Sequence, residues 1–308
     1  MPQFTGNATV DKNTNIDLLS AEIDVVFMRT NEAPLSLAQF YNTETRSEGT
    51  EWVVSSVGSA LPLPQINEDT DNLPYFTSPP GFKTTISKLN FRSGIRVTDT
   101  MLTLDRQNKT REITMGQAKS AVRLDEYMRA VAFNNGFATT TLADGVYMFS
   151  ASHPHENAEA GTWDNLATGA LTGANLQAAR LKMEKIDDEQ GDPMDITPMG
   201  VLISVDMEQK ALELIKSTKV AEDGLNAETQ LINSFSIVKT KYLTSTTAFF
   251  VFGNMTGYAK GLMEIVAQDW NIKNNSPSNV DIVIDKRIKA IKAFGAMPTK
   301  NFVGSTGT

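Results

Sequence analysis

Val280-Asp281-Ile282-Val283-Ile284-Asp285-Lys286-Arg287-Ile288-Lys289-Ala290-Ile291 decides the fold class. It mixes apolar and charged residues in a strand-like pattern and reads as one long strand. Long strands need neighbours. The early segment around Ile95-Arg96-Val97, running toward residue 105, offers a sheet that this late strand rejoins. A chain whose ends share one sheet, with helices between, is an α+β protein: the ends form one domain and the middle forms another.

Upstream of Ile95 the pattern is again that of strands. Trp52-Val53-Val54-Ser55-Ser56-Val57 and Thr84-Thr85-Ile86-Ser87-Lys88-Leu89-Asn90-Phe91 form the two sides of a long hairpin. Between them Leu61 to Phe82 holds Pro62, Pro64, Pro74, Pro79, Pro80 and Gly81. That proline density forbids helix and removes ladder donors, so the tip is expected to be stiff, irregular and extended. About ten residues of such an arm reach roughly 30 Å. An isolated two-stranded ribbon is marginal in water, so it needs support from its own subunit or from a neighbour. Trp52, Tyr75, Phe76 and Phe82 fit protein-interface anchors, with core packing equally open for Trp52. Base stacking on nucleic acid is disfavoured, because no Arg or Lys is interleaved with them. Residues 1–45 are mostly polar, with one apolar stretch (Ile23, Val25, Val26, Phe27, Met28) and a helical turn near Leu35 to Phe40; they read as an extended arm.

Downstream lies the strongest helix signal, Arg111 to about Asn134, capped by Thr110 and closed by Asn135-Gly136. Ala118, Ala121, Val122, Asp125, Met128, Val131 and Ala132 recur at helical spacing, and about 24 residues give a rod of about 35 Å. Gly145 to Ser150 then reads as a short strand, and His153 to Gly169 as a loop. A second helix begins near Thr172 and stops at the turn Asp187-Asp188-Glu189-Gln190-Gly191-Asp192-Pro193. Met199 to Val205 is a buried strand and Glu208 to Ser217 a third helix, followed by strands at Phe235 to Val238 and Ala248 to Phe252.

Composition narrows the function. The chain has 308 residues, 41% hydrophobic and 21% charged, the range of an ordinary folded protein. It has no secretory leader and no run of 18 apolar residues, so no membrane partner is expected. With no cysteine, disulfides and thiolate sites are excluded. The net charge is −8 and Lys and Arg are scattered along the sequence, leaving no obvious nucleic-acid footprint.

The only two histidines, His153 and His155, flank Pro154. They form a metal pair only if third and fourth ligands join them, which a proline-centred loop does not offer; a loop turn is the plainer reading. Asp187-Asp188-Glu189 lacks the spacing of a calcium loop and reads as a solvated helix end. Serine-nucleophile, phosphate-loop and dinucleotide patterns are absent, so no catalysis, metal or cofactor is expected.

Asp144-Gly-Val-Tyr-Met-Phe-Ser-Ala-Ser-His-Pro-His155, Gly161-Thr-Trp-Asp-Asn165, Ala170-Leu-Thr172, Asp188-Glu-Gln-Gly-Asp-Pro193 and Tyr242-Leu-Thr-Ser-Thr-Thr-Ala-Phe-Phe250 follow one another in order. With the arm, hairpin, long helix and late strand, this series resembles the tailed-bacteriophage major capsid family, including the head subunits of Mu-like phages. The resemblance implies an N-terminal arm (1–45) and an extended loop (46–95). It further implies a peripheral domain (96–139 and 256–308, long helix about 111–135) and an axial domain (140–255). It implies a non-enzymatic homo-oligomer that self-assembles through pentamers and hexamers into an icosahedral head, put together in the host cytoplasm. That head encloses DNA without sequence-specific binding. Scaffold, portal, and decoration or cement proteins are the partners such a head uses, and an arm beginning at Met1 suggests a separate scaffold or none. The inter-subunit contacts expected on the hairpin are Trp52, Pro62, Pro64, Tyr75, Phe76, Pro79, Pro80 and Phe82. Some members of the family cross-link Lys to Asn, and Lys83 and Lys88 lie in the matching loop. The alternatives are an encapsulin-type compartment shell, which shares the fold, and a metal-dependent hydrolase built on His153 and His155.

Overall fold

The computed structural model describes residues 12–31, 36–47, 49, 51–57, 80–104, 108–139, 141–156, 161–216, 235–254, 261–275 and 282–308. In chain order its elements are α1 (Lys12–Asn31), β1 (Asn42–Thr45), β2 (Glu51–Val57), β3 (Pro80–Ser87), β4 (Leu89–Thr98), α2 (Asp99–Leu104) and α3 (Asn108–Asn134). Then follow β5 (His153–Pro154), β6 (Thr162–Trp163), β7 (Leu166–Ala167), α4 (Gly173–Glu184), β8 (Pro198–Ser204) and α5 (Glu208–Lys216). The chain finishes with β9 (Ser236–Thr240), β10 (Phe249–Gly253), β11 (Leu262–Asn274), β12 (Ile282–Ala296) and β13 (Phe302–Ser305).

The late strand is present as the 15-residue β12. It pairs antiparallel with β4, setting Ile284 opposite Val97 and Lys286 opposite Ile95, so early and late segments do share a sheet. Its other neighbour is β11, and the order is β1-β11-β12-β4. The sequence reading lacked β11. Register shifts between Val266 and Gln268 and between Gln268 and Asn271 break its alternation, which hides the strand period.

One face of this sheet carries the helices. α3 starts at Asn108, three residues before the expected start, and buries Ala118 and Ala121, whose small side chains let the rod lie close to Ile288 and Ala290. The expected extended arm is corrected here: residues 12–31 form a 20-residue helix. Ile23 and Phe27, one turn apart, pack with Ile95, Val97 and Ile284, and Lys286 reaches Asp24 at 2.9 Å. The helical turn near residue 40 is present as a 3-10 turn, Ala38–Phe40.

The second sheet has the order β7-β13-β10-β8-β9, with β10 buried along its whole length. Phe249 and Val251 point into a core with Leu176, Ala179 and Met183 of α4 and Ala211 and Ile215 of α5. Phe250 and Phe252 point the other way, into an aromatic cluster with Phe40, Phe133 and Phe302. Phe133 ends α3, so this cluster ties the long helix to the second sheet.

Three further expectations change. Residues 145–150 are not a strand: the Asp144 carboxylate accepts the Val146 N–H and Gly145 sits at φ +85°, a left-handed turn that leaves only the bridge Thr141–Tyr147. The loop 153–169 contains three two-residue strands, β5, β6 and β7. Residues 302–305, expected with 256–301 in the peripheral part, insert instead between β7 and β10 of the second sheet.

Candidate assembly site

The hairpin is present, but its second side is Pro80–Ser87: Leu89, Asn90 and Phe91, expected in it, belong to β4 and pair with β12. β2 and β3 pair antiparallel with Trp52 opposite Ile86, and both side chains face the sheet that carries α3, but on the side away from that helix. There they meet Met263, Ile265 and Ala293. Gly295 makes the docking possible, because a Cβ at that position would lie 2.5 Å from Ile86 Cδ1. Trp52 is 4% exposed within its own chain, so the core reading replaces the interface reading for that residue. A second anchor is polar: the Phe82 N–H donates to Glu156 Oε1 at 3.1 Å. Phe82 itself is partly buried and Pro80 opens β3 opposite Val57. Pro62, Pro64, Tyr75, Phe76 and Pro79 lie outside the described residues. Lys83 is exposed, and Lys88 donates to the Gly49 carbonyl at 3.2 Å.

The histidine loop is a structural knot that braces this hairpin root. His153 is fully buried, stacked on Trp163 with ring centroids 4.2 Å apart. Its Nδ1 lies 2.6 Å from Asp144 Oδ2 and its Nε2 3.1 Å from Asn165 Oδ1. The Asn165 amide donates to the Met148 carbonyl while its oxygen accepts the Ser150 N–H, which fixes the side chain's orientation. Both ring nitrogens thus lie within hydrogen-bond distance of protein oxygens, Asp144 Oδ2 and Asn165 Oδ1. His155 faces elsewhere, its Nδ1 3.7 Å from Glu189 Oε2. Burial and the charge of Lys300 hold its pKa below the usual histidine value, against the opposing pull of Glu189. The metal-pair alternative thus fails on geometry. Among the described residues no group of three or more His, Asp and Glu side chains has metal-binding geometry.

The acidic run is also more than a solvated helix end. Glu189 pairs with Lys300 at 2.7 Å and accepts the Glu156 N–H at 2.8 Å. Lys300 donates to the Asp187 carbonyl, and burial lowers its pKa in spite of the Glu189 charge. Hairpin root, histidine loop, acidic turn and C-terminal segment are joined through these side chains.

A larger ionic network, missed in the sequence, links arm, long helix and sheet. Arg129 of α3 makes a two-nitrogen contact to Glu264 Oε2 at 2.6 and 3.0 Å. Lys292 sits 2.8 Å from both Asp125 and Asp269. Burial works against the Lys292 charge, but Asp125 and Asp269 outweigh it and raise the lysine pKa. Trp270 Nε1 donates to Asp125, while Glu126 accepts from Ser36 Oγ and the Leu37 N–H. The Tyr41 hydroxyl donates to the Arg129 carbonyl at 2.6 Å, and burial pushes its pKa far up. Asp125 was legible only as a polar interruption of an apolar helix face. Its partners lie more than a hundred residues away.

A two-stranded hairpin docked on one sheet, a long helix across that sheet's other face and a second sheet containing the C-terminal strand can be compared with known structures. The capsid of cyanophage P-SCSP1u matches with a TM-score of 0.57 at 10% identity over 86% of each chain. A virus-like particle from Pyrococcus furiosus matches at 0.54 and 11% identity over 92% of this chain and 98% of the other. The capsid of bacteriophage JBD30, decorated with minor capsid protein trimers, matches at 0.52 and 13% over 69% and 92%. No curated protein sequence matches. The sequence profile described as phage capsid protein covers residues 84–303, and the chain belongs to that family. It is a structural shell subunit with the tailed-phage major capsid fold.

Proposed function

We propose that this subunit closes through pentamers and hexamers into an icosahedral head around viral DNA and performs no catalysis. In this reading the proline-rich tip of the hairpin contacts neighbouring protomers, while α1, β1 and the hairpin root stay packed on their own chain. The sheet of β4, β11 and β12 with α3 forms the peripheral part, and the sheet around β10 forms the axial part. The observation that carries it is the hairpin root, clamped to the body by Trp52, Ile86 and Glu156, with the proline-rich sequence lying between its two strands. A proline-dense sequence joined to a fixed root suits contact with a second molecule. α1 supports the same view, since Leu18, Val25 and Met28 form an exposed apolar stripe opposite the buried Ile23 and Phe27. Many modest contacts per subunit add through effective concentration, so a stable shell tolerates weak and correctable individual contacts. Assembly in the host cytoplasm and use of scaffold, portal and decoration partners follow from the same reading. An encapsulin-type shell shares this fold, but the family match favours the phage head. Deleting residues 61–82 is expected to leave a soluble subunit that forms no closed shells; intact particles of that variant under the electron microscope would overturn the hairpin's role.

A further inference from the structure

The sheet of β4, β11 and β12 has a face away from α1 and α3, and its two ends differ. At one end Ala293 and Gly295 of β12 carry the hairpin root through Ile86. Roughly 20 Å back along β12, at the rise of a strand, the same face turns basic. In β4, Arg92, Gly94 and Arg96 alternate onto this side, opposite Lys289, Arg287 and Asp285 of β12, and Lys273 of β11 lies beside Arg287. Arg92, Arg96, Lys273 and Arg287 are exposed, and Lys289 is half-buried. Asp285 is buried, held by Arg96 at 3.5 Å and by the Asn275 amide at 3.2 Å. Among the described residues no carboxylate pairs with Arg92, Lys273, Arg287 or Lys289. Gly94 leaves a hollow between them, a groove of about 490 Å³ bordered by Arg92, Arg96 and Arg287.

Unpaired cations converging on one groove suit a cluster of carboxylates. Between Val57 and Lys83 the only charged residues are Glu68, Asp69 and Asp71, so the hairpin tip carries an acidic run with no cation of its own. We infer that the groove of one subunit receives the carboxylates of Glu68, Asp69 and Asp71 from the tip of a second copy. The inference rests on the shell reading above and names what the tip meets there. The chain's own tip is joined at the wrong end. β3 and β4 form one run broken only at Lys88, with Ile86 over Gly295, Leu89 opposite Lys292 and Arg96 opposite Asp285. Pro80, where the tip joins, and Arg96, at the groove, therefore stand at opposite ends of that run. Other acidic runs fit less well. Glu189 is paired with Lys300, and Asp188 accepts the Gln190 and Asp192 N–H groups of its own turn. Glu222-Asp223 has Lys216 and Lys219 close by in the sequence. Pro62, Pro64 and Pro74 on either side of the tip run restrict its backbone, so holding it in place costs less entropy. Arginine suits the contact, because its planar fork engages a carboxylate through two N–H groups.

Charge exchange in the full-length protein tests the contact, with closed shells counted by electron microscopy. Arg92→Glu/Arg287→Glu sets like charges across the joint, as does Asp69→Arg/Asp71→Arg, and each is expected to lower the yield of closed shells at least about tenfold. Both changes in one chain restore opposite charges and are expected to recover most of the parent's yield. Arg96 is left in place because it pairs with the buried Asp285. An unchanged yield from either double variant, or no recovery in the combined one, would overturn the assignment. The thermal melt of each unassembled variant is expected to match the parent's. If a charge variant does not fold, a disulfide decides instead, since the chain has no cysteine of its own. Oxidised Asp69→Cys/Arg92→Cys shells are expected to run as covalent multimers on a non-reducing gel, while Asp69→Cys and Arg92→Cys alone remain monomers. A monomer closed on itself would give the groove to the chain's own tip, and free thiols alone would leave the tip elsewhere; both refute the contact. A parent protein that never closes shells strikes the shell reading, whereas undiminished closure by either double variant strikes this one.

Discussion

His155 shows how a single buried ring makes the fold sensitive to acid. In the unfolded chain it takes a proton near 6.5, while in the native protein burial and Lys300 lower that value. Between the two values the unfolded state binds more protons, so stability rises with pH. The contribution is complete above the unfolded value and is lost as pH falls toward the native one. Glu189, Asp187 and Asp188 pull the other way without reversing the direction. Protonation of His155 places a charge beside Lys300, whose coulombic effect already disfavours it. The melting temperature of the unassembled subunit is therefore expected to fall between about pH 7.5 and about pH 5, and His155→Gln should make that fall shallower. An identical profile for the variant would remove His155 from the acid response. None of this was legible in His153-Pro154-His155 as a string, because Lys300 and Glu189 reach the ring from distant parts of the chain.

Between elements, the decisive link is polar. α3 presents Asp125, Glu126 and Arg129 to a sheet that answers with Glu264, Trp270 and Lys292. All of these are nearly or fully buried, so each charge depends on its partner. Lys292→Met leaves Asp125 buried with the Trp270 N–H but no cation, which costs roughly 3–5 kcal/mol. The denaturant midpoint should drop with little change in slope, and Asp125→Asn/Lys292→Met should recover part of the loss. A midpoint unchanged in the single variant would mean that the network adds nothing to stability. This network also explains which elements could be read in advance. α3, α4, β8, β10 and β12 advertise themselves through apolar spacing, caps and turn residues, as with Thr172 capping α4 by accepting the Asn175 N–H. β11 was hidden because Glu264 and Asp269 look like surface residues until their cations are in place. α1 was hidden because its stripe of Leu18, Val25 and Met28 is apolar on the outside, which blurs the contrast between its faces. Of the expected contact residues, Trp52 could be read either way, since an aromatic in a hairpin serves a core or an interface equally well until its partners are known.

At the scale of the molecule, the C-terminal residues determine whether the two sheets hold together. β13 is only four residues long, too short for periodicity to reveal, yet it lies between β7 and β10 and pairs with both. Phe302 and Val303 are fully buried on opposite sides of that sheet. Phe302 packs edge-on against Phe40, from the arm, and Phe133, from the end of α3, at 5.5 and 5.3 Å between ring centroids. One side chain therefore touches the arm, the long helix and the second sheet together. A chain ending at residue 301 loses this contact, opens the ladder on two strands and exposes the Phe250 side of the core. Loss of a buried phenylalanine alone costs about 3–5 kcal/mol, a large share of the roughly 5–15 kcal/mol that holds a domain folded. The truncated chain is expected to be insoluble or to lack a cooperative melt by circular dichroism. A chain ending at residue 305 keeps β13 and gives up only the last turn, including the bond from the Gly169 N–H to the Thr308 carbonyl, so it should fold and close shells. A native melt from the shorter chain would show that the second sheet is stable without β13.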